Sequence, residues 1–178
     1  MVRKIVGVKD PILRKKAKRV QKIDKRILRL VKDMHETLEA QKDPEGVALA
    51  APQIGKNLAI FVVSFDNQRR VVINPEILNI SKEKVNFETS ENKDHRELEG
   101  CLSIPHYYSP IERAKKIKIR YLNEKGKLIV ESFSGFMARI VQHETDHLNG
   151  ILFTDHVLKQ RKPLYKASKE GWEEVELK

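Results

Sequence analysis

The chain has one cysteine, Cys101, in 178 residues. No intramolecular disulfide can form, so stability must come from a packed core, and a reducing compartment suits the composition. No apolar run approaches the roughly 20 residues that span a bilayer as a helix. The opening Met1-Val2-Arg3-Lys4 lacks the apolar core of a secretory signal. These two absences together predict a cytoplasmic protein with no membrane partner. Zinc-finger, RNA-recognition and helix-turn-helix signatures are also missing, so no specific nucleic-acid sequence is expected as a partner. Internal repeats, low-complexity segments and dividing linkers are absent too.

What is present is a charged, globular composition: 40% hydrophobic, 34% charged, net charge +10. The length predicts a single domain over residues 1–178, with a short C-terminal tail from about 157. The basic balance fits an anionic partner such as the ribosome, and equally fits lysine-rich solvation. Local clusters such as Arg14-Lys15-Lys16-Ala17-Lys18-Arg19 do not decide between them.

The richest stretch is Gln142-His143-Glu144-Thr145-Asp146-His147. On a helix, histidines four apart project from one face, one turn apart. That spacing suits two nitrogen ligands on one metal ion. Glu144 stands beside them, where a carboxylate can take a proton from water. Phe136, Ile140, His143 and His147 form one stripe, and Asn149-Gly150 supplies a stop signal. A helix is therefore predicted over 136–148, with an apolar surface beside the histidines for a hydrophobic side chain.

Upstream, Asp24 caps a predicted helix over 25–40 with the stripe Ile27, Val31, Met34 and Leu38. Asp10-Pro11 predicts a short helical turn to about Ala17. Strands are expected at 58–65 and 70–73, turning at Asp66-Asn67, with Asn74-Pro75 breaking the chain before another strand at 77–80. Residues 81–97 read as a long surface loop, and the tract around Tyr107, Tyr108 and Pro110 as irregular. A hairpin follows over 116–133. Pro163 excludes a long final helix, and residues 172–177 show a weak strand-like alternation.

Two other stretches are bland alone. Gly46-Val47-Ala48-Leu49-Ala50-Ala51-Pro52-Gln53 is rich in small residues and reads as a packed strand and turn with an exposed glutamine. Glu99-Gly100-Cys101-Leu102-Ser103 contains a cysteine that, alone, reads as a small buried hydrophobe. Taken in order with the histidine stretch, however, the three resemble the motifs of peptide deformylases. That family is marked by Gly-x-Gly-x-Ala-Ala-x-Gln, Glu-Gly-Cys-Leu-Ser and Gln-His-Glu-x-Asp-His. The second and third are unchanged here; in the first, Ala48 replaces a glycine.

The resemblance implies an α+β fold with antiparallel or mixed strands around a central metal-binding helix. It implies Cys101, His143 and His147 as metal ligands, with Fe2+ the native ion and Ni2+, Co2+ or Zn2+ able to substitute. The implied reaction removes the formyl group from N-formylmethionyl nascent peptides. Glu144 would move the proton, and Gln53 with the Leu102 backbone N–H would stabilise the oxyanion. Gly46, Val47, Ala48 and Gly100 would meet the peptide; Phe136 and Ile140 would help line the methionine pocket. Two rival readings remain: a His-Glu-x-x-His peptidase taking His156 as a further ligand, and a catalytically silent metal-bound module docked on ribosomes.

Overall fold

The computed structural model describes residues 1–85 and 98–177. The N-terminal residues run as an extended arm, and Val6 N–H donates to the Gln53 carbonyl at 2.8 Å. Asp10 caps a 3-10 turn, Pro11–Arg14, by accepting from Ile12 N–H. The turn stops at Arg14, short of the predicted Ala17, because Lys15 is extended. Helix α1, Lys25–Glu39, starts where predicted: the Asp24 side chain accepts from Arg26 and Ile27 N–H groups. Its Val31, Met34 and Leu38 are buried.

Strand β1, Ala48–Ala50, leads into a 3-10 turn, Ala51–Ile54, ended by Gly55 at φ 74°. Strands β2, Ile60–Phe65, and β3, Gln68–Ile80, form a hairpin. Its two turn residues, Asp66 and Asn67, both take positive φ, the geometry that matches strand twist. Asn74-Pro75 does not break the chain as expected; β3 runs through it with a shift in register. Asn74 adopts φ 53° and its side-chain amide clasps Val20, accepting from its N–H and donating to its carbonyl, each at 2.8 Å. The clasp satisfies the buried Asn74 amide and the Val20 backbone together, while the Asn74 backbone N–H donates to the Ala59 carbonyl at 2.8 Å.

Then come β4, Lys84–Val85; β5, Glu99–Cys101; β6, Ile104–Ser109; and β7, Arg113–Ala114. The Tyr107-Tyr108 tract is strand, not irregular loop, since β6 pairs on both sides. Residues 86–97, most of the predicted loop, lie outside the described residues. Strands β8, Lys116–Leu122, and β9, Leu128–Ser134, form the expected hairpin. Helix α2, Gly135–Leu148, carries the histidines. The segment from 157, expected as a tail, is folded. Helix α3, Phe153–Gln160, buries Val157; β10, Leu164–Ser168, and β11, Gly171–Val175, form a hairpin on β6.

The described strands make a five-stranded sheet in the order β1-β2-β3-β8-β9, a four-stranded sheet in the order β11-β10-β6-β5, and the small pair β4-β7. All these pairings are antiparallel. Ten of the 14 residues of α2 are buried, which makes it the central element of this α+β fold. Ala138, Ile140 and Val141 pack on the five-stranded sheet against Phe61, Ile119 and Phe133. A second cluster holds α1 to the same sheet, and a third packs Phe153, Val157 and Leu164 around Cys101. No described helix is long and apolar enough to cross a membrane.

Candidate metal centre

Two consecutive turns of α2 present His143 and His147, with ring centroids 4.9 Å apart. Cys101 arrives from the end of β5, just before a tight turn. Cys101 pairs with Ile104 across that turn, leaving Leu102 and Ser103 as its two linking residues. The ligand atoms of Cys101, His143 and His147 all lie within 4.8 Å of one another, and all three residues are buried. Cys101 Sγ is 3.2 Å from His147 Nε2. A tetrahedral ion with bonds of about 2.3 Å to sulfur and 2.0 Å to nitrogen would set that separation near about 3.5 Å. The set therefore fits one divalent metal ion.

The orientation of His143 is fixed from behind. Its Nδ1 lies 2.7 Å from Glu99 Oε1, so Nε2 is left for the centre. Glu99 is itself gripped by Arg113, at 2.9 and 2.6 Å, and Arg113 also donates to Asp146 at 2.6 Å. Asp146 closes the chain on His156, 2.8 Å away. Asp146 therefore supports the arginine behind the ligands. His156 is bound in the same network and is absent from the ligand cluster found among the described residues. The peptidase reading, for which His156 was the candidate further ligand, loses that support.

Burial alone would raise the Glu99 carboxyl, but Arg113 and His143 hold it well below the usual carboxylate range. Burial also raises the Cys101 thiol; the charges and hydrogen bonds of His147 and His143 outweigh this and bring it down to about 5. A thiolate, the ligating form, is thereby favoured. Glu144 behaves oppositely. Its burial dominates, and the nearby histidines only partly offset it, so its carboxyl is pushed up to about 7. Glu144 Oε2 is buried without a protein hydrogen-bond partner.

Gln53 is not exposed, as its pattern suggested; it is 1% accessible. Pro52 and the 3-10 turn aim it inward. Its Oε1 accepts from Ala50 N–H at 2.8 Å, which fixes the amide so that Nε2 points at Cys101 Sγ, 3.5 Å, and Ser103 Oγ, 3.4 Å. Leu102 N–H sits at the tight turn, where the strand ladder does not claim it.

A cavity of about 590 Å3 opens onto this centre. Val47, Phe65, Phe136 and Ile140 form apolar wall; Gln53 and Glu144 supply polar atoms. Gly46, Ala48, Gly100 and Leu102 also border it. Two of these positions need small residues. A Cβ on Gly46 would stand 2.6 Å from Leu38 Cδ1, and one on Gly100 would stand 2.6 Å from the Tyr108 ring. The Ala48 side chain belongs to the core cluster under α2, so its methyl packs inward.

The cavity lies where two sheets end. β1 is an edge of one and β5 an edge of the other. Ser64 N–H donates to the Val47 carbonyl, so by alternation Ala48 turns its N–H and C=O to the free edge. Sequence reasoning missed Glu99 and Arg113 as supports. Glu99 was findable, because residues two apart on a strand share a face and Glu99 stands two before Cys101. Arg113 carries no local signal.

An α+β domain with a buried His-Glu-x-x-His helix, completed by a cysteine from a distant strand, defines a metal-dependent hydrolase. The profile of the polypeptide deformylase family matches residues 2–163. A peptide deformylase of Pseudothermotoga lettingae is 46% identical over 162 residues, covering 91% of this chain and 86% of that relative. Peptide deformylase 1 of Clostridium acetobutylicum is 44% identical over 154 residues, covering 86% and 93%. The crystal structure of the Thermotoga maritima peptide deformylase superposes with a TM-score of 0.77 at 41% identity, covering 87% of this chain and 97% of that one. The chain belongs to the peptide deformylase family.

Proposed function

We propose that the deformylation characteristic of this family is carried here by Glu144, Gln53 and Leu102 around an ion held by Cys101, His143 and His147. The reaction is hydrolysis of the N-terminal formyl group of polypeptides, releasing formate. The meeting of Cys101 with the two helix histidines is the observation that carries the reading. A divalent ion bound there supplies Lewis acidity, which makes water more acidic and polarises a carbonyl. Of the ions this sulfur and nitrogen set accepts, we assign Fe2+ on the family resemblance, with Ni2+, Co2+ and Zn2+ as substitutes.

Glu144 accepts a proton from the attacking water and returns it to the leaving amine. Its carboxyl is buried, with Oε2 lacking a protein hydrogen-bond partner, which supports its taking up that proton. Gln53 Nε2 and Leu102 N–H donate to the formyl oxygen as charge grows on it. The methionine side chain enters the apolar wall formed by Val47, Phe136 and Ile140. The peptide backbone lies as an added strand between the edges of β1 and β5, meeting Ala48 and Gly100. Gly46 keeps the approach clear.

We read residues 1–178 as one catalytic domain, because the C-terminal hairpin continues the sheet that carries Cys101. The surplus of 35 Lys and Arg over 25 Asp and Glu supports contact with an anionic partner such as the ribosome, in the cytoplasm where nascent chains form. The test is formate release from formyl-Met-Ala-Ser by the iron- or nickel-loaded protein. Release is expected to vanish in Glu144→Ala, while Cys101→Ala fails to retain metal by elemental analysis. A metal-loaded protein that releases no formate would sink the proposal.

A further inference from the structure

The C-terminal hairpin carries the chain's single tryptophan, Trp172, and brings it to the substrate side of the site. Gly100, Tyr108, Tyr165 and Glu174 are direct cross-strand partners, one per strand, so they share one face of the four-stranded sheet. Trp172, two residues from Glu174, lies on that face as well. The opposite face holds Tyr107, Leu164 and Val175 on the buried core around Cys101.

On the outer face, the Tyr108 ring lies across Gly100. The space a Cβ would occupy there is 2.6 Å from both Cδ1 and Cε1 of that ring. An aromatic covering an edge glycine in this way compensates for the missing side chain. On its other side Tyr108 meets the Trp172 ring, with centroids 5.1 Å apart and planes tilted by 56°. Trp172 remains 40% exposed, and Tyr108 borders the catalytic cavity.

We infer that Tyr108, held by Trp172, forms an aromatic shelf that selects the side chain immediately after the substrate methionine. The inference rests on the deformylase reading above. Along an extended peptide, alternate side chains point to opposite faces. The methionine side chain points toward α2, the side on which Glu99 and Cys101 are buried. The next side chain therefore points to the face of Tyr108. Gly100, which the peptide edge passes, places no side chain between them, so the shelf is within reach. Tyr108 makes the contact; Trp172 acts through it as a positioning residue. The selected class is a large apolar or aromatic side chain.

The test compares formyl-Met-Phe-Ser with formyl-Met-Ala-Ser on the metal-loaded, full-length protein. Wild type is expected to favour the phenylalanine peptide in kcat/KM by about threefold to tenfold, the range of one aromatic contact, with the gain in KM and not in kcat. Trp172→Ala should bring the ratio toward one, and Trp172→Phe should restore it. Because Trp172 is the sole tryptophan, its emission should shift on binding the product peptide Met-Phe-Ser and not with Met-Ala-Ser. A ratio near one in wild type, or a preference that survives Trp172→Ala, overturns the shelf. Failure to hydrolyse either peptide overturns the deformylase reading instead.

Discussion

Glu99→Gln removes one negative charge from the chain that runs from His143 through Arg113 to Asp146. The side chain keeps its shape, so packing is preserved. What changes is compensation: Glu99 and Arg113 are almost fully buried, at 4% and 5% side-chain exposure. Removing one member of a buried ion pair costs about 3–5 kcal/mol. Asp146 still partners Arg113 at 2.6 Å, so the lower figure, about 3 kcal/mol, applies. For a chain of this length that lowers Tm by about 6–12 °C. It is also a large share of the roughly 5–15 kcal/mol that holds a typical domain folded. His143 loses the carboxylate that fixes its ring, so metal affinity should fall by about 10–100-fold. Calorimetry of the metal-free protein reads the first effect, and competition with a chelator for Co2+ reads the second. A Tm within about 2 °C of wild type together with unchanged Co2+ affinity would refute the reasoning, since a buried network cannot lose a charge silently. It would mean that packing alone orients His143.

Three other outcomes are expected. Glu144→Gln should lower kcat by about 10²–10⁴ with metal content unchanged, measured as formate release beside elemental analysis; a loss of metal instead would make Glu144 a support of the ligands. Ala48→Gly should destabilise the protein by about 1 kcal/mol in urea, because a methyl in the core under α2 is lost and the strand gains backbone freedom; a stabler variant with lower KM would place that methyl against the substrate. Asp155 accepts from Leu152 N–H at the start of α3 and pairs with Arg14. Burial raises its carboxyl, but Arg14 and that backbone group hold it below its ordinary value. A depressed carboxyl stabilises above its unfolded value and loses that contribution as pH falls through the folded one. Wild type should therefore exceed Asp155→Asn in Tm at pH 7, and the gap should close below about pH 4; a gap constant with pH would assign it to packing.

Part of the proposed site was legible because the chemistry it would perform needs fixed residue types at fixed spacing. His143 and His147 announce themselves on one helical face, with Glu144 beside them. Cys101 and Gln53 do not; each became visible only when three ordered stretches were matched to a family. Their burial depends on contacts between segments, such as Gln53 against Cys101 and Ser103. Local patterns also misread β3 at Asn74-Pro75, where the strand continues past a shift in register and the Asn74 amide is held by Val20, a residue far from it in the chain. The Tyr107-Tyr108 tract failed for a similar reason: its strand character comes from β5 and β10, neighbours on either side. Arg113 shows the limit most plainly, because its value lies wholly in reaching two acids, Glu99 and Asp146, far from it in the chain.

The two facing strand edges also bear on what the protein must refuse. A free edge will accept almost any extended chain, which in other proteins invites aggregation. Here β1 and β5 are three residues each. Each backbone hydrogen bond contributes only about 0.5–1.5 kcal/mol net. A passing loop or an unfolded segment therefore gains too little from such short rails to stay. Under the proposed binding, a chain whose first residue also fills the apolar cavity, with its end group at Cys101, His143 and His147, collects the contacts that a passing segment lacks. On that reading, the brevity of the edges would make the protein a reader of chain ends, able to work among much exposed backbone without being occupied by it.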